Sequence, residues 1–162
     1  MPLSKIDSDS LNSGVPTRAQ LPAGSVLQVV ANSYATQTST TSGSPQPSGL
    51  SASITPSSAS SKILVMIADP VRKGGTNITG MQFFVYRNGS NIFQPMTNFA
   101  YTNPSTADFS GLASFWYLDS PASLSAVTYA LYFSVNNVGS GATAYTQIDG
   151  NNGYITLMEI AA

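Results

Sequence analysis

No segment of this chain shows the hydrophobic period of about 3.6 residues that an amphipathic helix requires. The segment AVTYALYFSV at 126–135 instead places a large apolar residue at every odd position from Val127 to Val135. Successive side chains of a strand point to opposite faces, so this alternation predicts a β-strand with one buried face. Ten prolines and thirteen glycines punctuate the chain, and they restrict it to short strands joined by turns.

We predict eight or nine strands at a spacing of about 10–15 residues, a pattern typical of an all-β fold. Their ranges are 25–34, 50–55, 62–68, 78–87, 90–94, 108–118, 126–135, 143–148 and 154–161. The expected architecture is an antiparallel β-sandwich that is jelly-roll-like. The Asn88-Gly89 pair predicts a tight hairpin between two of the strands, and the Ser/Thr/Pro-rich residues 35–48 predict a loop.

The strand at 62–68, KILVMIA, is apolar on both faces, with Ile63, Val65 and Ile67 on one and Leu64, Met66 and Ala68 on the other. A strand of this kind lies at the centre of a packed sandwich or at a seam between subunits. Aromatic residues make up a further 10% of the chain. Together these features exceed what one small sandwich needs for its core, and they predict a homotrimer.

The first 24 residues differ from the rest. They hold four of the thirteen charged residues, together with prolines that prevent any long helix. Residues before proline favour extended conformations, so we predict a short extended N-terminal arm at 1–24 and a β-sandwich domain at 25–162. The alternative is an N-terminus that merely frays.

Composition excludes several kinds of site. The absence of Cys and His excludes disulfides, thiolate metal sites and imidazole catalysis. Only 8% of residues are charged and the net charge is −1, so nothing indicates binding to nucleic acid, and no apolar run approaches the ~20 residues that span a membrane. We expect no enzyme activity, no cofactor and no metal. Because no His titrates near neutrality, we also expect nearly constant stability between about pH 6 and pH 8.

The acidic residues are interpreted as turn residues. Asp69-Pro70, Asp119-Ser120-Pro121 and Asp149-Gly150 combine Asp with turn-forming residues, and Asp at such positions accepts hydrogen bonds from nearby backbone N–H groups. Two alternatives stay open. One is a pair of carboxylates facing across a cleft, which a glycosidase requires; the other is a set of calcium ligands in the loop 149–153.

Exposed aromatic side chains beside polar groups are what sugar-binding surfaces use. The candidates for contact with a glycan or another surface are Phe99, Tyr101, Trp116 and Tyr117, with Tyr132, Tyr145 and Tyr154 as further members of the set. The alternative is that these residues pack in the core or between subunits.

Three segments resemble virion proteins of tailed phages, a family common in marine and cyanobacterial phages. The segments are LPAGSVLQVV at 21–30, GLSASITPSSASSKILVMI at 49–67 and YITLMEIAA at 154–162. The hairpin Arg87-Asn88-Gly89-Ser90 is similar to an Arg-Gly-Ser hairpin of the same family. The resemblance covers about residues 21–162. It identifies the type of domain but not where in the virion that domain lies. It implies a β-sandwich, often trimeric, that serves as a fibre, knob or surface decoration.

The resemblance therefore implies a structural virion protein, made in the bacterial cytoplasm and assembled as a small trimeric appendage: a capsid fibre or decoration, or a tail-fibre tip. Its partners would be other virion proteins of the capsid or tail. Candidate docking residues in the arm are Lys5, Ile6, Asp7, Leu11 and Arg18. The first alternative is a receptor-binding tail-fibre domain that recognises a glycan of the host surface, and the second is a carbohydrate-active enzyme.

Overall fold

The computed structural model describes residues 21–75, 78–102, 108–136 and 141–162. The strands are β1 (Val26–Tyr34), β2 (Thr38–Thr40), β3 (Gln46–Ile54), β4 (Lys62–Gly74), β5 (Thr79–Arg87), β6 (Ser90–Thr102), β7 (Phe109–Asp119), β8 (Val127–Val135), β9 (Thr143–Thr146) and β10 (Gly153–Ile160). A 3-10 turn at Ile148–Gly150 joins the last two strands. Within these ranges no helix is long and apolar enough to span a membrane.

The strands form two packed antiparallel sheets. In sheet A, β4 pairs with β7 on one edge and with both β10 and β9 on the other, and β1 and β2 complete that side. Sheet B has the order β3-β8-β5-β6. Apart from the short β2 and β9, each sheet has four strands, β1-β10-β4-β7 and β3-β8-β5-β6. This arrangement of eight strands is a jelly roll, and it confirms the predicted fold class.

The core lies between the sheets, where the alternation of β5 and β8 places their side chains. The odd-numbered residues of β8 from Val127 to Val135 are at most 1% exposed, and Met81, Phe83 and Val85 of β5 are completely buried. All of them except Val135 belong to one hydrophobic cluster with side chains of sheet A. Each such large side chain contributes about 1.5–3 kcal/mol on burial. The predicted inward faces of these two strands are therefore confirmed.

The strand predicted at 62–68 is longer than its apolar run. It continues through Asp69-Pro70, which we had interpreted as a turn, and ends at Gly74. One edge of β4 pairs with β7 throughout, whereas the other edge pairs with β10 before residue 69 and with β9 after residue 70. Pro70 has no N–H and lies in the gap between the two partners, where that edge requires no ladder hydrogen bond.

Two other boundaries differ from the prediction. Residues 35–48 contain β2 and the start of β3, two polar stretches whose pairing partners lie far away in the sequence. The strand predicted at 90–94 runs through Pro95 as far as Thr102. It is the edge strand of sheet B, with several register irregularities, and edge strands tolerate proline.

Most of the predicted arm lies outside the described residues, including its five candidate docking residues. The described part, residues 21–24, leads into β1 beside the end of β10. There the Gly24 N–H donates to the Ala161 carbonyl at 2.8 Å, and the Ala161 N–H donates to the Ser25 carbonyl at 2.9 Å. The start of the sandwich is thus fastened to its C-terminal strand.

Candidate functional site: an apolar sheet face

The outer face of sheet A is lined by large apolar side chains. One row of paired residues crosses four strands from Trp116 through Met66 and Thr156 to Ala31. The next row crosses from Leu118 through Leu64 and Met158 to Val29. We call this surface the apolar face; its large members are Val29, Leu64, Met66, Leu112, Trp116, Leu118, Tyr154 and Met158.

Several of these side chains are exposed to solvent. The exposed fraction is 70% for Trp116, 62% for Leu112 and 41% for Met66. Lys62 and Arg72 lie at the two ends of β4. Between them, none of the described outward residues of β4 or of its paired rows is charged. The face is four strands wide and seven residues of β7 long, which gives a footprint of about 15 by 20 Å. Apolar patches of this order, about 300 Å², are often functional.

A shallow depression of about 170 Å³ lies at the centre of the apolar face. Its lining includes Met66, Trp116 and Tyr154, with Thr156 and Ser114 as polar members. A surface of this chemistry can exclude water against another apolar surface, but it offers few hydrogen bonds with which to orient a polar ligand. It is therefore suited to protein–protein contact.

The outer face of sheet B is different. It is polar and aromatic: Tyr86 and Tyr132 stack with ring centroids 3.9 Å apart. Hydroxyl and amide groups bond across the neighbouring strands, with Ser53 Oγ and Thr128 Oγ1 2.7 Å apart and Ser134 Oγ donating to Gln82 Oε1 at 3.0 Å. The two sides of the sandwich thus offer different surfaces, one apolar and one hydrogen-bonding.

The structure does not bring the four aromatic candidates together. Phe99 packs edge-on against the core residue Phe83, and Tyr117 stacks on Phe93 with ring centroids 4.5 Å apart. Trp116 lies on the apolar face, and Tyr101 lies 56% exposed near the end of β6. Sequence reasoning missed the stack, because it considered Tyr132 but not Tyr86. A signal was available in the alternation of each strand. Tyr86 and Tyr132 each lie on the outward face of a strand whose alternate residues are buried.

Asp69 is not a turn residue; it is buried inside β4. It accepts hydrogen bonds from Gln147, at 3.3 Å from the backbone N–H and 2.8 Å from Nε2. Its carboxyl fills the junction between β9 and β10, within 2.7 Å of where a side chain at Gly153 would begin. Burial raises the pKa of Asp69 to about 7, partly opposed by the hydrogen bonds from Gln147. This raised pKa predicts that stability falls as the pH rises towards neutrality, in place of the constant stability expected from the absence of His.

Asp119 ends β7 and joins the two sheets, rather than serving a turn alone. Arg87 Nη1 lies 2.8 Å from Asp119 Oδ2 and 3.0 Å from Oδ1, and the Tyr129 hydroxyl donates to Oδ2 at 2.6 Å. Asp119 belongs to sheet A, whereas Arg87 and Tyr129 belong to sheet B. Its carboxylate raises the pKa of Arg87 through the hydrogen bond.

Glu159 also has a structural role. Glu159 is buried, and its Oε1 accepts hydrogen bonds from the Ser57 N–H and hydroxyl at 2.7 and 2.6 Å. Burial alone would raise the pKa of Glu159, but hydrogen bonds from Ser57 and Gln28 outweigh it and lower the pKa to about 2. Asp149 lies exposed in the 3-10 turn. Across the described ranges, no group of three or more acidic residues is placed to hold a metal ion.

Comparison with known proteins gives matches among solved structures. No protein-family model and no curated protein matches the sequence. Among solved structures, the chain is similar to the VP2 subviral particle of infectious bursal disease virus, at 13% identity and a TM-score of 0.47, over 92% of this chain and 41% of that one. It is also similar to a chain in the solved structure of the Gt strain of infectious bursal disease virus, at 14% identity and a TM-score of 0.45. That match covers 92% of this chain and 42% of the other chain. The chain spans about two fifths of the chains it matches.

Proposed function

We propose that this protein is a structural virion protein of a tailed bacteriophage, a small fibre- or knob-like appendage that assembles as a homotrimer. The observation that carries the proposal is the apolar face, which a solitary domain would leave in contact with water. The sequence resemblance described above supports the phage context. The jelly roll is compatible with it by analogy, because viral capsid and lectin domains use this architecture.

The apolar face is the proposed contact between copies. Burying apolar surface contributes about 25 cal/mol per Å², and a face without charges has no ionic group to desolvate. Closed cyclic symmetry lets each copy bury its face without forming an open filament. In the proposed trimer the three apolar faces turn towards a common axis, while the polar outer faces of sheet B point to solvent.

Met66→Lys should convert the trimer to a monomer. Met66 lies in the row that crosses the apolar face from Trp116 to Ala31, where a buried ammonium without a partner would be strongly unfavourable. Because the native side chain is already 41% exposed, the folded monomer should tolerate the lysine. Light scattering should give about 51 kDa for the unaltered protein, three times the chain mass of 16.9 kDa, and a single-chain mass for Met66→Lys.

The matched control is Met96→Lys. Met96 is 43% exposed on the edge strand of sheet B, so the same change in charge and volume is made away from the apolar face. This variant should remain trimeric. If the unaltered protein is monomeric at micromolar concentration, or if both variants stay trimeric, the proposed interface is wrong.

Deleting residues 2–20 should leave a folded trimer that no longer joins the particle. The described sandwich begins beyond this segment, and the apolar face is defined by residues of the sandwich. In the proposal the segment supplies the docking contacts, whose ordering cost is offset when it binds the capsid or tail. Particle incorporation is measured beside the melting curve of the same truncated chain. A truncated chain that unfolds, or one that is incorporated normally, contradicts this assignment.

A receptor-binding tail-fibre domain that recognises a host glycan is the second candidate function. The observation that favours it is the polar and aromatic outer face of sheet B, which remains accessible when the apolar face is covered.

A further inference from the structure

A pocket of about 290 Å³ opens on the outer face of sheet B. The walls relevant here are Pro47 and Gly49 of β3, Tyr132 and Thr128 of β8, and Tyr86 and Asn88 at the end of β5. Its volume lies just below the range of about 300–1,000 Å³ that ligand pockets occupy. It suits one sugar-sized ring rather than an extended peptide.

A bulge in β3 creates one wall of the pocket. Pro47 pairs with Tyr132 and Ser51 pairs with Ala130, so three residues of β3 lie opposite one residue of β8. Gly49, at the centre of the bulge, has a φ of +87°, and a Cβ there would lie 2.3 Å from the ring of Tyr34. The position therefore requires glycine, and the bulge is held in one conformation.

A second part of the lining is the stacked pair of Tyr86 and Tyr132. The rings are nearly parallel, at 17° to each other, and both are half-buried. Stacking on each other holds the two side chains in place before any ligand arrives, which reduces the entropy lost on binding. An aromatic wall of this kind packs well against the C–H face of a sugar ring, and its hydroxyl groups can bond with the ring's substituents.

Asn88 supplies an oriented polar group at the rim. Its Oδ1 accepts a hydrogen bond from the Thr128 N–H at 2.9 Å, so the amide N–H₂ group is directed as a donor. Asn88 has a φ of 48° in the hairpin turn, a conformation that Asn and Asp adopt more readily than other side chains. None of the residues lining the pocket is charged.

We propose that this pocket binds an uncharged saccharide, with the sugar ring against the tyrosine wall and a hydroxyl accepting from Asn88. The absence of charge in the lining disfavours acidic sugars and phosphorylated ligands, because an ionic group entering the pocket would lose water without gaining a partner. The inference deepens the second candidate function. It is independent of trimer formation, since the pocket and the apolar face lie on opposite sides of the sandwich.

The experiment is a glycan array probed with the full-length chain. The array carries glucose, galactose, mannose and N-acetylglucosamine, oligosaccharides of the same sugars, and the acidic sugars glucuronic acid and sialic acid. Binding to neutral sugars is expected. Binding to single sugars indicates a free saccharide as the ligand, whereas binding to oligosaccharides alone indicates the end of a surface glycan. Either result supports the proposal. Binding to no neutral sugar, or to the acidic sugars alone, overturns it.

Variants then test the site with the best neutral sugar by titration calorimetry. Tyr132→Ala should weaken binding about tenfold or more, since it removes an aromatic contact. Because that change also removes a stacking partner, Asn88→Asp provides a second test: it keeps the turn conformation and the acceptor for Thr128 but removes the N–H₂ donor. It should weaken binding by a similar factor without lowering the melting temperature. Phe109→Ala, which changes an exposed aromatic side chain of β7 outside the pocket, should leave binding unchanged. Unchanged affinity in both pocket variants overturns the assignment.

Discussion

Asp119→Ala is expected to lower the free energy of unfolding by about 4 kcal/mol, equivalent to a fall of roughly 10 °C in Tm. The change removes the only carboxylate that bonds both Arg87 and Tyr129 in the described structure. Tyr129 is completely buried, so its hydroxyl would be left without its acceptor, at a cost of about 1–3 kcal/mol. The Arg87 side chain is 31% exposed, which lets water replace part of the lost ion pair.

Asp149→Asn is the control for the loss of one negative charge. Asp149 has a φ of 57°, and asparagine tolerates this conformation, so the Tm of this variant should stay within about 2 °C of the unaltered protein. All melting curves are recorded at one protein concentration, because oligomer stability depends on concentration. Equal melting temperatures for the two variants would show that the contact between the sheets through Asp119 does not stabilise the fold.

Raising the pH from about 5 to 8 is expected to lower the free energy of unfolding by about 3 kcal/mol and Tm by several degrees. The pKa of Asp69 rises from 3.8 to about 7 on folding because its carboxyl is buried. Between these values the folded chain holds a proton that the unfolded chain has released, so stability falls as the pH rises, and it levels off above the folded pKa. Two pH units at about 1.4 kcal/mol each give the stated magnitude.

Asp69→Asn tests this assignment, because asparagine cannot ionise. Its Oδ1 can accept from the Gln147 N–H as the native carboxyl does, and a rotated Gln147 amide can accept from its N–H₂ group. The variant should therefore have a nearly constant Tm over this pH interval, whereas Asp149→Asn should keep the native slope. A flat profile in the unaltered protein, or an unchanged slope in Asp69→Asn, would contradict the account.

Glu159 acts in the opposite direction at lower pH. Its pKa is lowered to about 2 in the folded state, so the stability it contributes is present above its ordinary pKa of 4.5 and is lost as the pH falls towards 2. The two acids together place the maximum of stability on the acidic side of neutrality.

The parts of the fold that could be predicted are those set by local hydrophobic pattern. The alternation in β8 and β5 identified their buried faces residue by residue, and Asn88-Gly89 identified the hairpin, where both residues have positive φ. The doubly apolar strand at 62–68 was compatible with the centre of a sandwich or with a seam between subunits. In the structure one face of this strand lies in the core, and Met66 on the other face is 41% exposed.

The features that could not be predicted depend on pairing between distant residues. Asp69-Pro70 has the composition of a turn, and only the change of partner from β10 to β9 explains why a strand passes through it. Asp119 likewise follows the local pattern of a strand end, while its partners come from the other sheet. The alternation of each strand places Tyr86 and Tyr132 on outward faces, but their strands lie far apart in the sequence, so local spacing does not reveal that the two rings stack.

Cryo-electron microscopy of the particles that carry this chain tests the central proposal most directly. The account predicts density for three copies around a common axis on the particle surface, with Trp116 and Met66 of each copy at the contact and the Tyr86–Tyr132 pocket facing outwards. Copies that are not grouped in threes around an axis, or copies whose apolar faces are open to solvent, would contradict it.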